Sequence, residues 1–239
     1  MAKAVNTKKT KEKKRRKPVR WLMWQGFRAF CAVFILVTAL IVLGAVVNPP
    51  TTIYMSQESR RLGGVDHEWV SIEEIAPVMA RAAVAAEDAN FCEHWGFDLK
   101  AIKTAIAAGG NRGASTISQQ TVKNVYLWHG RNYTRKAMEA LMTPLLEAVW
   151  TKRRIIEVYL NVAEFDEGVF GVEAAARHYF GVGPEALSPT QAARLAAILP
   201  SPKTRSASRP TQYIRKRTSQ IVDGAATIRA DGRSACFES

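Results

Sequence analysis

Residues 85–98 read Ala-Ala-Glu-Asp-Ala-Asn-Phe-Cys-Glu-His-Trp-Gly-Phe-Asp. A helix of small residues ends here in two adjacent carboxylates, Glu87 and Asp88, and aromatic residues follow directly. Pro77 suits the first position of this helix, so we predict a helix from Pro77 to about Asp88. A carboxylate beside apolar rings can have the raised pKa that a general acid or base needs. A solvated helix end is the alternative interpretation of these residues alone.

The rest of the chain also has helical periodicity almost throughout. Ser71 with Glu74 and Ser188 with Gln191 have the spacing of capping boxes, and Pro189 stands at a first helical position. We find no alternating run long enough for a sheet and no repeat of roughly 20–50 residues. The sequence therefore predicts an all-α, mainly helical fold, with further helices near residues 99–108, 117–128, 135–149, 153–161, 172–180, 189–199 and 211–229.

The composition indicates a globular body with a basic tail. The chain has 239 residues, 47% of them apolar, and a formal net charge of +13. Residues 1–20 hold ten Lys and Arg and one acid, a net of +9, which leaves only +4 for the body. A nucleic-acid-binding body is therefore not indicated. Three cysteines are too few for a disulfide scaffold. Cys92 and Cys236 could meet in an oxidising compartment, but the sequence does not favour that pair.

An uncharged apolar run follows the tail. Residues 29–47 would span roughly 28 Å as a helix, close to the hydrocarbon thickness of a bilayer. By the positive-inside rule, the basic residues before the run keep the N-terminus in the cytoplasm and the rest is exported. A cleaved signal peptide is the alternative, although its apolar core would be shorter, about 7–15 residues. The predicted organisation is a basic cytoplasmic tail (1–28), a transmembrane helix (29–47), a linker (48–70), one exported domain (71–229) and a C-terminal tail (230–239).

Two further stretches carry polar and charged side chains that could bind a ligand. Residues 109–120 are rich in glycine and hydroxyl groups before a helix start, but they lack the lysine of a nucleotide-binding P-loop. Ser115 and Thr116 nevertheless suit an anion, while Gln119 and Gln120 can bind sugar hydroxyls and amides.

The second stretch places four cations within 14 residues: Lys123, Arg131, Arg135 and Lys136. Glu139 shares a helix face with Arg135, four residues earlier. One interpretation is an exposed ion pair worth about 0.3–0.5 kcal/mol. The other is a clamp for a polyanion, whose carboxylate could also hold a divalent cation.

Taken in order, these stretches resemble the peptidoglycan glycosyltransferase family. Glu-Asp-x-x-Phe-x-x-His-x-Gly matches residues 87–96, and Gly-x-Ser-Thr-Ile-Thr-Gln-Gln matches 113–120 with Ser118 in place of Thr. Arg-Lys-x-x-Glu matches 135–139. The last two motifs, Lys-x-x-Ile-Ile-Glu-x-Tyr-Leu-Asn and Ala-Ala-x-x-Tyr-Phe-Gly, match 152–161 and 175–181. The resemblance covers residues 71 to about 225.

The resemblance implies a lysozyme-like catalytic domain with two lobes. The smaller jaw lobe, expected from residue 95 to about 129, would lie partly in the membrane through apolar residues (Leu99, Ile102, Ile106, Val125, Leu127 and Trp128). It also implies a single-pass protein of the bacterial inner membrane with an extracytoplasmic catalytic domain. The expected partners are lipid II, the growing glycan strand, the bilayer and other cell wall synthesis or division proteins, and no nucleic acid.

The reaction implied is the polymerisation of lipid II, an inverting transfer that forms a β-1,4 link and releases undecaprenyl pyrophosphate. By this resemblance Glu87 matches the general base. Glu139 matches the second essential carboxylate, which can bind Mg²⁺ or Mn²⁺ or orient the cations. No cofactor is expected to be obligatory.

The resemblance and the side-chain chemistry also suggest the substrate contacts. Lys123 and Arg131 match the positions nearest the leaving group, and Arg135 and Lys136 are further candidates for binding it. The residues expected to hold the sugars are Ser115, Thr116, Gln119, Gln120 and Asn124. Glu157, Tyr159 and Asn161 are expected to support the cleft rather than to bind substrate.

Two other functions compete with this interpretation. A lytic enzyme on the same fold would also use two carboxylates across a glycan cleft. Its neutral leaving group, however, would not need the cation cluster. A membrane-anchored scaffold protein would need neither Glu87 and Glu139 nor the cations around them.

Overall fold

The computed structural model describes residues 18–109, 113–130 and 132–238. The chain divides after Leu40 into two units. Helix α1, Pro18–Gly44, begins in the first unit, and its stretch Val19–Gly44 is long and apolar enough to cross a membrane. This confirms the predicted N-terminal apolar helix, although it begins well before residue 29, because Pro18 can start it and Arg20 and Arg28 are tolerated within it. Residues 1–17 of the basic tail lie outside the described residues.

The second unit is mainly helical, as predicted. Its helices are α2 (Ile53–Leu62), α3 (Pro77–Glu87), α4 (Leu99–Ala107), α5 (Ile117–Tyr126), α6 (Tyr133–Val149), α7 (Lys152–Val162), α8 (Val172–Phe180), α9 (Pro189–Ile198), α10 (Gln212–Ala230) and α11 (Ala235–Glu238). Short 3-10 turns occur at Ile72–Glu74, Phe91–Glu93, Pro184–Ala186 and Pro202–Thr204.

The helix starts follow the capping signals in the sequence. Pro77 opens α3, and Ser188 with Gln191 forms a capping box on α9. The capping box of Ser71 and Glu74 heads a 3-10 turn rather than an α-helix. Local side-chain chemistry therefore fixes where these elements begin, while tertiary packing decides how far they continue.

A small three-stranded sheet is the feature that the sequence did not predict. Its strands are β1 (Asp66–His67), β2 (Glu164–Asp166) and β3 (Val169–Phe170), in the order β1-β3-β2. β1 runs parallel to β3, pairing Asp66 with Val169, and β2 runs antiparallel to β3. Strands of two or three residues are too short to show an alternation of apolar and polar residues, so the sequence contains no periodic signal for them.

Two packed layers of helices bring the site residues together. α3, α9 and α10 pack against one another, and α5 packs against α6 and α7. Alanines let the first layer pack closely: Ala80, Ala82 and Ala83 are buried on α3. On α10, a Cβ at Gly224 would lie only 3.2 Å from the Cβ of Ala85. The end of α3 is thereby held close to α10.

A disulfide joins Cys92 to Cys236, with an S–S distance of 2.02 Å. The sequence did not favour this pair, so that expectation is corrected. The two cysteines are 144 residues apart, and only the fold brings them together. Among the described residues, Cys31 in α1 keeps a free thiol.

Most of the exposed large apolar side chains lie on α1, and in the second unit Trp95 and residues of α4 and α6 are also exposed. Leu99 and Ile106 are exposed on α4, and Tyr133 and Leu141 are exposed on α6. Leu127, which was expected to contact the membrane, is instead 1% exposed and part of the core. It follows α5 directly, where the chain packs inward. Ile102, Val125 and Trp128 are half-buried, so of the six residues expected at the membrane only Leu99 and Ile106 are exposed.

Candidate active site

A cleft of about 1270 Å³ is lined by residues of α3, α4, α5, α6, α9 and α10. Seven of the predicted site residues line it: Glu87, Ser115, Gln120, Lys123, Arg135, Lys136 and Glu139. The two carboxylates singled out in the sequence therefore share one cavity, although 52 positions separate them along the chain (139 − 87).

Glu87 is the last residue of α3 and reaches the cleft half-buried. Burial raises the pKa of its carboxyl group, because the charged form loses hydration, and nearby Asp88 adds to this effect. Gln120 opposes it: its Nε2 donates a hydrogen bond of 2.8 Å to Oε2 of Glu87. The positive charges of Arg217 and Lys123 also lower the pKa. Glu87 thus has the environment of a general base tuned toward neutral pH.

Lys123 lies on α5 and interacts electrostatically with both carboxylates. Burial lowers the pKa of its ammonium group, and the charges of Arg135 and Lys136 lower it further. Glu139 and Glu87 act in the opposite direction. A cation held in this way is poorly hydrated and can bind a second anion strongly.

Glu139 organises two other cations of the cleft. Its side chain is almost fully buried, and its Oε2 accepts a hydrogen bond of 2.7 Å from Arg135. Its Oε1 accepts one from Nζ of Lys136, which also donates to Oγ of Ser115 at 3.2 Å. The Nε of Arg135 is fixed by the carbonyl of Gly130 at 3.0 Å. The carboxylate therefore positions the cations at the cleft wall.

These contacts bear on the divalent cation considered for Glu139. Both of its carboxylate oxygens are already paired with Arg135 and Lys136. Within the described part of the chain, no group of three or more His, Cys, Asp or Glu residues gathers to hold a metal. The arrangement does not fit a metal site, because a metal ion would have to displace both cations.

Three of the described site residues that the sequence predicted do not line the cleft. Thr116 and Gln119 are buried in the capping box of α5, where Oε1 of Gln119 accepts from the Thr116 amide at 3.1 Å. Asn124 is buried on the same helix. The structure places these three residues in the fold beside the cleft, and their predicted contact with the sugars stays a prediction. Arg131 lies outside the described residues.

Asp88 ties the first two sequence motifs together. Its Oδ1 lies 2.8 Å from Nε2 of His94, and its Oδ2 accepts from the amide of Ile117 at 3.0 Å. The hydroxyl of Thr116 donates to the carbonyl of Gly96 at 2.7 Å. The residue beside the candidate base is therefore a structural link that fixes the start of α5.

The motif of residues 152–161 lies on α7 and supports the cleft, as the sequence suggests. Lys152 Nζ donates to Glu147 and to the carbonyl of His94, both at 2.8 Å. Asn161 pairs with both backbone groups of Val70 at 2.9 Å. Lys152 therefore holds α7 against the segment that carries the first motif, and Asn161 holds it against the segment before the 3-10 turn at Ile72–Glu74.

Sequence reasoning missed the α10 wall of the cleft. Arg217 donates to the carbonyl of Ala86 at 2.8 Å and lowers the pKa of Glu87. Lys216 and Tyr213 line the same wall. The available signal was the run of three basic residues at 215–217 on a predicted helix of a nearly neutral body.

Comparisons with known proteins agree with this geometry. Residues 55–226 match the family model described as Transglycosylase, a lysozyme-like domain. The chain is 57% identical over 218 residues to the biosynthetic peptidoglycan transglycosylase of Jannaschia sp. (strain CCS1), covering 91% of this chain and 90% of that protein. It is 46% identical to the proteins of the same name from Caulobacter vibrioides, over 82% of this chain and 87% of the relative, and Salmonella arizonae, over 88% and 92%. The chain belongs to the transglycosylase family.

Proposed function

We propose that this chain is a membrane-anchored peptidoglycan glycosyltransferase that polymerises lipid II into glycan strands. The C4 hydroxyl of an incoming GlcNAc attacks C1 of the MurNAc at the reducing end of the growing strand. Undecaprenyl pyrophosphate leaves, and the α linkage becomes β. The observation that carries this proposal is the single cleft in which Glu87 and Glu139 occur together with Lys123, Arg135 and Lys136.

Glu87 acts as the general base. A sugar hydroxyl is a weak nucleophile, and removal of its proton during attack contributes about 10²–10⁴-fold to the rate. Burial raises the pKa of Glu87, so its carboxylate is a stronger base than an exposed glutamate. Gln120 holds Oε2 of this carboxylate by a hydrogen bond and so restricts its orientation.

The cations stabilise the departing pyrophosphate. Negative charge develops on the leaving group as the C1–O bond breaks, and positioned cations in a poorly hydrated site lower the energy of that transition state. Lys123 and the two cations organised by Glu139 supply the charge, while Glu139 keeps their geometry fixed. The divalent cation considered from the sequence has no role in this proposal, since the Glu139 oxygens are taken by Arg135 and Lys136.

The same cluster argues against a lytic enzyme. Hydrolysis of a finished glycan expels a neutral sugar hydroxyl, which needs a proton donor rather than an array of cations. We therefore expect that incubation of the protein with mature cell wall releases no soluble fragments.

We further propose that the catalytic domain lies outside the cytoplasm, beside the membrane. The disulfide between Cys92 and Cys236 supports an oxidising compartment. The apolar helix α1 supports a single membrane anchor. The exposed apolar residues Leu99, Ile106 and Leu141 support contact of α4 and α6 with lipid.

Replacement of Glu87 by Gln tests the proposed function. The amide keeps the size of the side chain and one oxygen that can accept from Gln120, but it cannot accept the proton. We expect Glu87→Gln to lose at least about 10²-fold in lipid II polymerisation, measured with fluorescent lipid II, with an unchanged helical circular dichroism spectrum. Near wild-type turnover by this variant would refute the assignment.

A further inference from the structure

The last residues of the chain fold back onto the catalytic domain. α10 ends at Ala230, and Gly232, with φ of 80°, lets the chain reverse direction. The short helix α11 follows, with Phe237 1% exposed and Ser234 5% exposed. We call residues 231–238 the C-terminal clasp. Its buried residues indicate a docked element rather than a loose tail.

The clasp holds the turn that directly follows the candidate base. This turn, residues 89–93, connects Glu87 and Asp88 to His94. Its Cys92 is joined to Cys236 by the disulfide. Arg233 donates to the carbonyl of Ala89 at 2.9 Å, and the rings of Phe91 and Phe237 lie 6.2 Å apart between centroids.

The clasp is itself fixed to other elements of the domain. Glu238 forms an ion pair of 2.7 Å with Arg81 of α3, and the carbonyl of Phe237 accepts from Arg153 of α7 at 3.2 Å. The turn that it holds belongs to the cleft, because Ala89 and Asn90 line it. One element therefore connects the helix that carries Glu87, the turn after it and the supporting helix α7.

We propose that the C-terminal clasp is a positioning element for Glu87, and that catalysis depends on its Cys92–Cys236 disulfide. The family match ends at residue 226, so the clasp lies outside the matched residues. A displacement of about 1 Å at a reacting group can cost about 10²-fold in rate. The disulfide fixes the turn on one side of Glu87, while Gln120 holds the carboxylate on the other. The proposal rests on the proposed role of Glu87 as the base.

Reduction of the full chain in detergent tests this inference. The background is Cys31→Ser, so that thiol counting reports only the pair. Dithiothreitol supplies two electrons and two protons: the S–S bond breaks to give two thiols, and the reagent becomes its cyclic disulfide. Once two thiols per chain are counted, we expect kcat for lipid II polymerisation to fall about tenfold with KM within about twofold. The assay temperature is kept well below the melting temperature of the reduced protein.

Variants separate positioning from stability. Cys92→Ser with Cys236→Ser should reproduce the lowered kcat and should not respond to dithiothreitol. Arg233→Ala, which leaves the disulfide intact, should also lower kcat, whereas Arg60→Ala, at an exposed position of α2, should not. If the double serine variant does not fold, the reduced protein alone decides the matter.

An unchanged kcat in the fully reduced, folded protein would overturn the inference, even if the melting temperature falls. That result would leave the clasp with a role in stability alone. Failure of the proposed function itself is distinguishable, because it would appear as activity in Glu87→Gln, whatever the response to dithiothreitol.

Discussion

Gln119 and Gln120 are neighbours in the chain but have different roles. The side chain of Gln120 donates to Glu87, whereas that of Gln119 accepts from the Thr116 amide and caps α5. On a helix, adjacent residues point about 100° apart, so one reaches the cleft while the other turns into the fold. The pair therefore offers a matched test of how the pKa of Glu87 is set.

Gln120→Ala should move the acid limb of the pH–rate profile. Gln120 stabilises the charged carboxylate, so its loss raises the pKa of Glu87 further above the usual range. The base must be deprotonated, and activity is lost as pH falls through that pKa. We therefore expect the acid limb of kcat/KM to shift to higher pH, because the charged form of Glu87 loses a hydrogen bond that stabilises it.

The control for this shift is Gln119→Ala. It removes a helix cap, which should lower the free energy of unfolding by about 1 kcal/mol, and it should leave the acid limb in place. Equal shifts in the two variants would mean that the profile does not report the contact between Gln120 and Glu87.

Lys123→Ala tests the stabilisation of the leaving group. Its ammonium group interacts with both carboxylates of the cleft and is poorly hydrated. Removal should lower kcat by about 10²–10³-fold at saturating lipid II, the scale for losing one group that stabilises transition-state charge. Release of undecaprenyl pyrophosphate would be measured directly. Lys103→Ala removes the same charge from an exposed position of α4 and should keep wild-type kcat. A normal kcat in Lys123→Ala would contradict the proposed clamp.

The junction between α3 and α5 depends on a single glycine. Gly96 has φ of 79°, and a Cβ there would lie 2.5 Å from Cγ2 of Thr143 on α6. Its carbonyl also accepts the Thr116 hydroxyl that begins α5. Only glycine combines the left-handed backbone with this close packing.

Gly96→Ala should therefore destabilise the domain more than its backbone conformation alone explains. The left-handed region costs about 1–2 kcal/mol, and the clash with Thr143 adds about 1–3 kcal/mol. Gly109→Ala is the matched control. The φ of Gly109 is 81°, and nothing lies within 4 Å of the position that an added Cβ would take. Denaturant unfolding should show the difference; equal destabilisation of the two variants would show that Thr143 relaxes without cost.

The elements that the sequence predicts are those with local causes. The start of α3 follows from Pro77, and that of α9 follows from Ser188 and Gln191, because these signals act within one turn of helix. The strands β1 and β3 depend instead on pairing Asp66 with Val169, about a hundred residues later. The same limit explains the disulfide and the position of Arg217, since only tertiary packing brings them to the first motif.

At the scale of the molecule, the body is less basic than the charge of +13 suggests. Ten of the 34 Lys and Arg residues fall within the first 20 positions. Several of those in the body line one cleft, among them Lys100, Lys123, Arg135, Lys136, Lys216 and Arg217. A nearly neutral domain with one cationic cleft fits an anionic, lipid-linked substrate better than a polyanion that would coat the whole surface.

Contact of the domain with lipid can be tested apart from the anchor. Leu99 and Ile106 form one exposed stripe on α4, and Leu141 lies on the exposed face of α6. Each such side chain buried in lipid would contribute up to about 1.5–3 kcal/mol, and a charge in its place would be repelled from the apolar phase.

We expect Ile106→Glu with Leu141→Glu to lower polymerisation of lipid II in vesicles about tenfold and to leave the rate in detergent nearly unchanged. Thr227→Glu adds the same kind of charge at an exposed position of α10 and should have no effect in either medium. A loss of equal size in vesicles and in detergent would place the defect in the fold or the cleft, and the two stripes would then have no role at the membrane.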